Sequence, residues 1–227
     1  MTNLLPQHLV NQLADWIREA QRIVILTHLS PDGDAMGSSL ALWNYLTEQR
    51  NKQATVVVPD AFPDFLQWLP NSEKVVRFDK RRDFVSTMLK IADVIICLDF
   101  NSASRTDQMA EALSGSAAKK ILIDHHPGPD IDTTLCISHP EMSSTSELVF
   151  RIVWQMGLFE QLGKHFAVPI YCGMMTDTGG FTFNSNDPDI FFIIGQLLTK
   201  RINKDKIYRN VYHNYSEHRL RLVGHVL

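Results

Sequence analysis

Four short stretches of this chain gather the side chains that could hold cations or move protons. His28-x-x-x-Asp32-x-Asp34 follows one apolar run, Asp99 ends a second, Asp124-His125-His126-Pro127 ends a third, and Asp177-Thr178-Gly179-Gly180 closes a helical fourth. Taken singly, an Asp at the end of an apolar run is most often a turn former or helix cap. Turn chemistry does not explain why histidines adjoin these carboxylates. Carboxylates brought together repel one another and resist desolvation unless cations neutralise them. Asp and imidazole with no thiolate nearby favour Mn²⁺ or Mg²⁺ over a structural zinc, and the imidazoles suit manganese better.

Groups so far apart in sequence meet only if the fold brings strand ends together. Runs at 22–27, 53–58, 93–98 and 120–123 are apolar on both faces, as strands of a helix-covered parallel sheet are. Weaker strands are expected at 73–78 and 133–138. Apolar spacing predicts helices at 6–20, 36–49, 82–91, 105–113, 146–156 and 164–175, then 189–200, 204–212 and 216 to the end. The expected fold is α/β: a Rossmann-like three-layer domain with a mostly parallel central sheet, followed by C-terminal helices. In such sheets ligands bind outside the carboxyl ends of the strands, where the three strand-end stretches can converge.

Other features carry plainer readings. Gly37-Ser38-Ser39 is expected to open a helix, where free N–H groups would hold a phosphate oxygen or serve capping and packing equally well. Ser144-Thr145-Ser146-Glu147 fits a reciprocal capping box. Phe181, Phe183, Phe191 and Phe192 read as core packing rather than base stacking. Lys80-Arg81-Arg82 reads as a solvated face. His8, His139, His165, His213, His218 and His225 show no ligand spacing. The three cysteines, Cys97, Cys136 and Cys172, stand among apolar neighbours, as buried free thiols in a reducing compartment do. No run of about 18 apolar residues would span a bilayer, so the expected location is the cytoplasm. The net charge of −3 gives no electrostatic reason to bind long nucleic acid.

The stretches HLSPDGDAMGS, LDFNSASR, DHHP and MTDTGGF, in that order, resemble the four motifs of the DHH phosphoesterase family, and the likeness covers 28 to about 183. It is strongest to the bacterial branch of nano-RNases and 3′-phosphoadenosine 5′-phosphate phosphatases. The resemblance implies that His28 and Asp32 hold one of two divalent cations, that Asp34, His125 and Asp177 hold the other, and that Asp99 bridges both. It gives His126 the substrate phosphate, and Asp124 would orient an imidazole. Arg105 is a further candidate for that phosphate. The implied reaction is in-line attack by a metal-bridging hydroxide.

Residues 1–186 are accordingly expected to form the catalytic domain, with 187–227 a helical extension leading toward a C-terminal substrate-binding domain absent from this chain. Expected substrates are short oligoribonucleotides or 3′-phosphoadenosine 5′-phosphate. Polyphosphate, pyrophosphate or a cyclic dinucleotide are alternatives, and a non-catalytic nucleotide or metal sensor is an alternative of another class. A homodimer is compatible with all of these. Relatives often carry arginine where this chain has Gly180, which loosens any specificity inferred from them.

Overall fold

The computed structural model describes residues 1–214, 221, 222, 224 and 225. Six strands form one sheet: β1 (Arg22–Leu26), β2 (Gln53–Val58), β3 (Val76–Arg77), β4 (Val94–Leu98), β5 (Lys119–Asp124) and β6 (Leu135–Ser138). Their order is β3-β2-β1-β4-β5-β6, and every neighbouring pair is parallel. The fold class is therefore the expected one. The order reverses between β1 and β4, and at such a switch point the connections leave a crevice outside the carboxyl ends of the strands.

Parallel strands covered on both faces need apolar side chains on both, and β1 supplies them. Ile23 and Ile25 join one core, Val24 and Leu26 the other. On the first face lie α1 (Gln7–Glu19), α2 (Gly33–Asn44), α5 (Thr145–Gln155), α6 (Lys164–Asp177), α7 (Pro188–Thr199) and α8 (Lys204–Tyr212). On the second lie α3 (Arg82–Ile91) and α4 (Ala110–Ser114). Among the described residues no helix is long and apolar enough to cross a membrane.

Two glycines let α2 and α6 cross closely. A Cβ at Gly37 would stand 2.6 Å from the Pro169 carbonyl oxygen and 2.9 Å from Gly173 Cα, and one at Gly173 would stand 2.8 Å from Asp34 Oδ1 of α2 and 1.9 Å from Ser146 Oγ of α5. Gly37-Ser38-Ser39 lies inside α2 rather than at its start, so packing, not anion binding, accounts for that stretch.

Several boundaries differ from expectation for local reasons. Helix α2 starts at Gly33 because Asp32 caps it, and it ends in a π turn, Tyr45–Gln49. The strand expected over 73–78 shrinks to β3 because Ser72–Lys74 takes a 3₁₀ turn. The helix expected over 105–113 divides into a 3₁₀ segment, Ala103–Met109, kinked at Asp107 (φ 48°, ψ −123°), and α4. Cys136 is exposed, since β6 is an edge strand that turns alternate side chains outward; Cys97 and Cys172 are buried. Phe183, Phe191 and Phe192 are exposed, Phe192 with an edge contact to Trp154, whereas Phe181 is partly buried and packs on Tyr171. The helix expected from 216 onward falls mainly outside the described residues.

Replacing Gly37 with Ala should cost about 1–3 kcal/mol, because a methyl group must enter a contact already closed by backbone. Thermal denaturation measures this, and an unchanged Tm would contradict the close crossing.

Candidate metal centre

The sheet register brings the polar groups together. Leu26, Cys97 and Leu122 pair across β1, β4 and β5, and His28, Asp99 and Asp124 each stand two residues further on. The chain after His28 turns into α2, where the Asp32 carboxylate accepts from the N–H groups of Asp34 (2.9 Å) and Ala35 (3.0 Å). That cap sets Asp34 in the first helical turn, facing the crossing with α6. Asp99 leaves β4 at φ 66°, a left-handed conformation that Asp tolerates better than most residues, and its own N–H bonds the Ile123 carbonyl. Asp177 is the last residue of α6, and Gly179 and Gly180 follow at φ +56° and +75°, so the chain turns away there at little steric cost.

The result is two neighbouring triads and a third group that takes one member from each. His28, Asp32 and Asp99 form one triad, with His28 Nε2 3.9 Å from Asp32 and 3.6 Å from Asp99. Asp34, His125 and Asp177 form the other; His125 Nε2 is 4.0 Å from Asp34, 3.4 Å from Asp177 and 3.6 Å from Asp99. Asp99 thus faces an imidazole of each triad. His126 completes the third group with Asp99 and His125, and its Nδ1 lies 2.8 Å from the Asp124 carboxylate. Arg105 is exposed, yet its guanidinium acts electrostatically on His126, and its backbone carbonyl accepts from Leu29 N–H at 2.7 Å.

Charge is crowded in this crevice. The Asp34 and Asp99 side chains are buried, at 1% and 2% exposure, while that of Asp177 is 27% exposed. Burial, and then the charges of Asp99, Asp177 and Asp32, push the Asp34 carboxyl well above its ordinary range. Burial likewise raises Asp177 to about 6, with Asp99 and Asp32 adding to the rise and His125 and His126 opposing it. Burial pushes Asp99 upward too, but His28, His125 and His126 outweigh it and hold this carboxyl below its usual value. The hydrogen bond to Asp124 raises His126, favouring imidazolium. Such a cluster fits divalent cations: buried oxygens repel one another, imidazoles face them, and neither triad contains a thiolate.

Sequence reasoning missed one supporting element, the start of α5. The N–H groups of Thr145 and Ser146 donate to the two Asp34 oxygens at 2.6 and 2.9 Å, and Thr145 Oγ1 donates to Asp99 at 2.9 Å. The positive end of a helix therefore rests on the two most buried carboxylates of the triads. Half of the capping box is present, with Ser144 Oγ accepting from Glu147 N–H. Glu147 itself reaches Ser143 and Arg151 instead of Ser144. The capping signal marked the helix start, but nothing local marked its remote acceptors.

Two outcomes follow for the protein in solution. Thr145→Val should weaken Mn²⁺ binding roughly 10–100-fold by freeing Asp99, and Thr145→Ser should largely restore it, as titration calorimetry would show; equal affinity in all three proteins would contradict this. Without metal, the raised Asp177 pKa makes the folded state bind more protons than the unfolded, so this stabilising contribution is present at low pH and is lost as pH rises through about 6. Asp177→Asn should therefore gain on the metal-free wild type between pH 5 and pH 8, on the order of 1–2 kcal/mol after solvent screening. A pH-independent difference in denaturant midpoint would contradict that sign.

Known proteins share this architecture. A crystal structure of an exopolyphosphatase-related protein from Bacteroides fragilis superposes with a TM-score of 0.96 at 50% identity, covering 100% of this chain and 66% of that one. The bifunctional oligoribonuclease and PAP phosphatase NrnA of Thermus thermophilus is 28% identical over 176 residues, 78% of this chain and 49% of its own length. The cyclic-di-AMP phosphodiesterase PdeA of Listeria monocytogenes is 25% identical over 183 residues, 76% of this chain and 27% of its own length. The chain thus spans about half or less of these two curated relatives. Residues 22–174 match the DHH family, N-terminal domain, and the chain belongs to that family.

Proposed function

We propose that this chain forms the catalytic part of a phosphoesterase that uses two divalent cations, Mn²⁺ or Mg²⁺, to hydrolyse small phosphorylated nucleotides. The substrates proposed are short oligoribonucleotides and 3′-phosphoadenosine 5′-phosphate. The observation that carries this reading is that Asp99, a member of the first triad, also lies 3.6 Å from His125 of the second. His28, Asp32 and Asp99 would hold one cation, and Asp34, His125 and Asp177 the other, with Asp99 shared. When bound, the cations supply Lewis acidity at the phosphoryl group and bring the pKa of water toward neutrality.

The chain's own residues do the rest. The start of α5 fixes the rotamers of Asp34 and Asp99, so the site is preorganised before substrate arrives. Asp124 takes the Nδ1 proton of His126 in a hydrogen bond and leaves Nε2 for a phosphate oxygen. Arg105, whose charge is felt at His126, would offer a planar fork to a second phosphate oxygen. Buried free thiols at Cys97 and Cys172 suit a reducing cytoplasm. A second reading, hydrolysis of inorganic polyphosphate, draws on the name of the 50% identical Bacteroides protein.

The test is turnover by the chain with Mn²⁺ on pApA, longer oligoribonucleotides, 3′-phosphoadenosine 5′-phosphate, pyrophosphate and cyclic di-AMP. The highest kcat/KM is expected on the first group. Nucleotide binding with no cleavage of any substrate would point to a sensor. Asp99→Ala should lower turnover by roughly 10²–10³-fold or more while the circular dichroism spectrum is kept; undiminished turnover would refute the bridging role. His126→Ala should lose activity with metal stoichiometry intact, and loss of bound metal would make His126 a ligand instead.

A further inference from the structure

Beside the triads a cleft of about 260 Å³ opens between the 3₁₀ turn Asp64–Leu66 and helix α8. Asp32, Thr176 and Asp177 line one side, Phe65, Val211 and Tyr212 the other. Asp32 and Asp177 belong to different triads, so the cleft adjoins both candidate cation positions. Its far wall has a different character. Phe65 and Val211 offer no polar side-chain atom, and the Tyr212 hydroxyl already donates to the Met175 carbonyl at 3.1 Å. The Tyr212 ring is further steadied by Tyr208, with ring centroids 4.8 Å apart.

A polyphosphate chain entering this cleft would gain no donor from Phe65, Val211 or Tyr212, and each unpaired phosphate oxygen would lose hydration. A planar, neutral heterocycle would lose little water and would gain stacking against fixed aromatic faces. The volume is near the lower end of small-molecule sites, about 300–1,000 Å³, which suits one nucleoside rather than an oligonucleotide.

We propose that this cleft is a nucleobase subsite, in which the base of the nucleotide whose phosphate lies at the triads stacks against Phe65 and Tyr212. This rests on the phosphoesterase reading above and adds to it a reason for preferring nucleotides over inorganic phosphate chains. Phe65 is the specificity-determining residue, because it lines the cleft from a turn that holds no residue of either triad.

Two measurements on the full chain separate the subsite from the reaction. Saturation-transfer NMR with adenosine 5′-monophosphate and Mg²⁺ reads base contact without turnover. Base protons should be saturated by the wild type and by Phe65→Tyr, and lose that saturation with Phe65→Leu, which fills the space without a ring. With pApA and Mn²⁺, kcat/KM should fall about 5- to 100-fold in Phe65→Leu, mainly through KM, and recover in Phe65→Tyr. If no substrate turns over but the NMR pattern holds, the phosphoesterase reading fails and the subsite stands. If pApA is cleaved equally well by all three proteins, the subsite fails and the phosphoesterase stands. Absence of base saturation in the wild type, or equal loss in the Leu and Tyr variants, overturns the proposal.

Discussion

Three carboxylates, those of Asp34, Asp99 and Asp177, share one imidazole at the carboxyl end of the sheet, all within 4.0 Å of His125 Nε2. Nothing about folding alone favours this. Desolvation and mutual repulsion raise two of the three carboxyls, and the third is held down only by the histidines around it. The rest of the structure acts against that repulsion. The Gly37–Gly173 crossing brings α2 and α6 close, the switch point leaves the crevice open, and the N-terminus of α5 lends N–H groups to Asp34. Carboxylates crowded in this way, only partly offset by imidazoles and N–H groups, could hold a metal ion.

The shared position of Asp99 explains the architecture around it. Its backbone is left-handed, its N–H is tied to β5, and its side chain meets His28, His125 and Thr145 from three different segments. A carboxylate fixed from three sides has few rotamers left, as the bridging role proposed for it would require. Asp124 plays a different part. It is fully buried and one of its oxygens lies 2.8 Å from His126 Nδ1, the contact through which it would orient that ring in the proposed reaction.

Much of this was legible before any coordinates. Buried parallel strands read as unbroken apolar runs, so β1, β2, β4 and β5 stood out, and residues just past such runs could be placed at one sheet edge. What the chain concealed was of another kind. The bonds from Thr145 and Ser146 to Asp34 span 111 and 112 residues and leave no periodic trace. The split at Asp107 is a single backbone outlier inside an otherwise helical pattern. Exposure of Phe183, Phe191 and Cys136 depends on which face lacks a covering element, and local hydrophobicity does not encode that.

The cleft walled by Phe65 and Tyr212 depends on helix α8, so residues beyond the matched 22–174 segment take part in shaping the site. Each role proposed for these residues requires that the crowded carboxylates bind a pair of cations. Anomalous diffraction from a crystal grown with Mn²⁺ tests it most directly. The account predicts two peaks, one touched by His28, Asp32 and Asp99 and the other by Asp34, His125, Asp177 and the same Asp99. A single peak, or peaks away from Asp99, would contradict it.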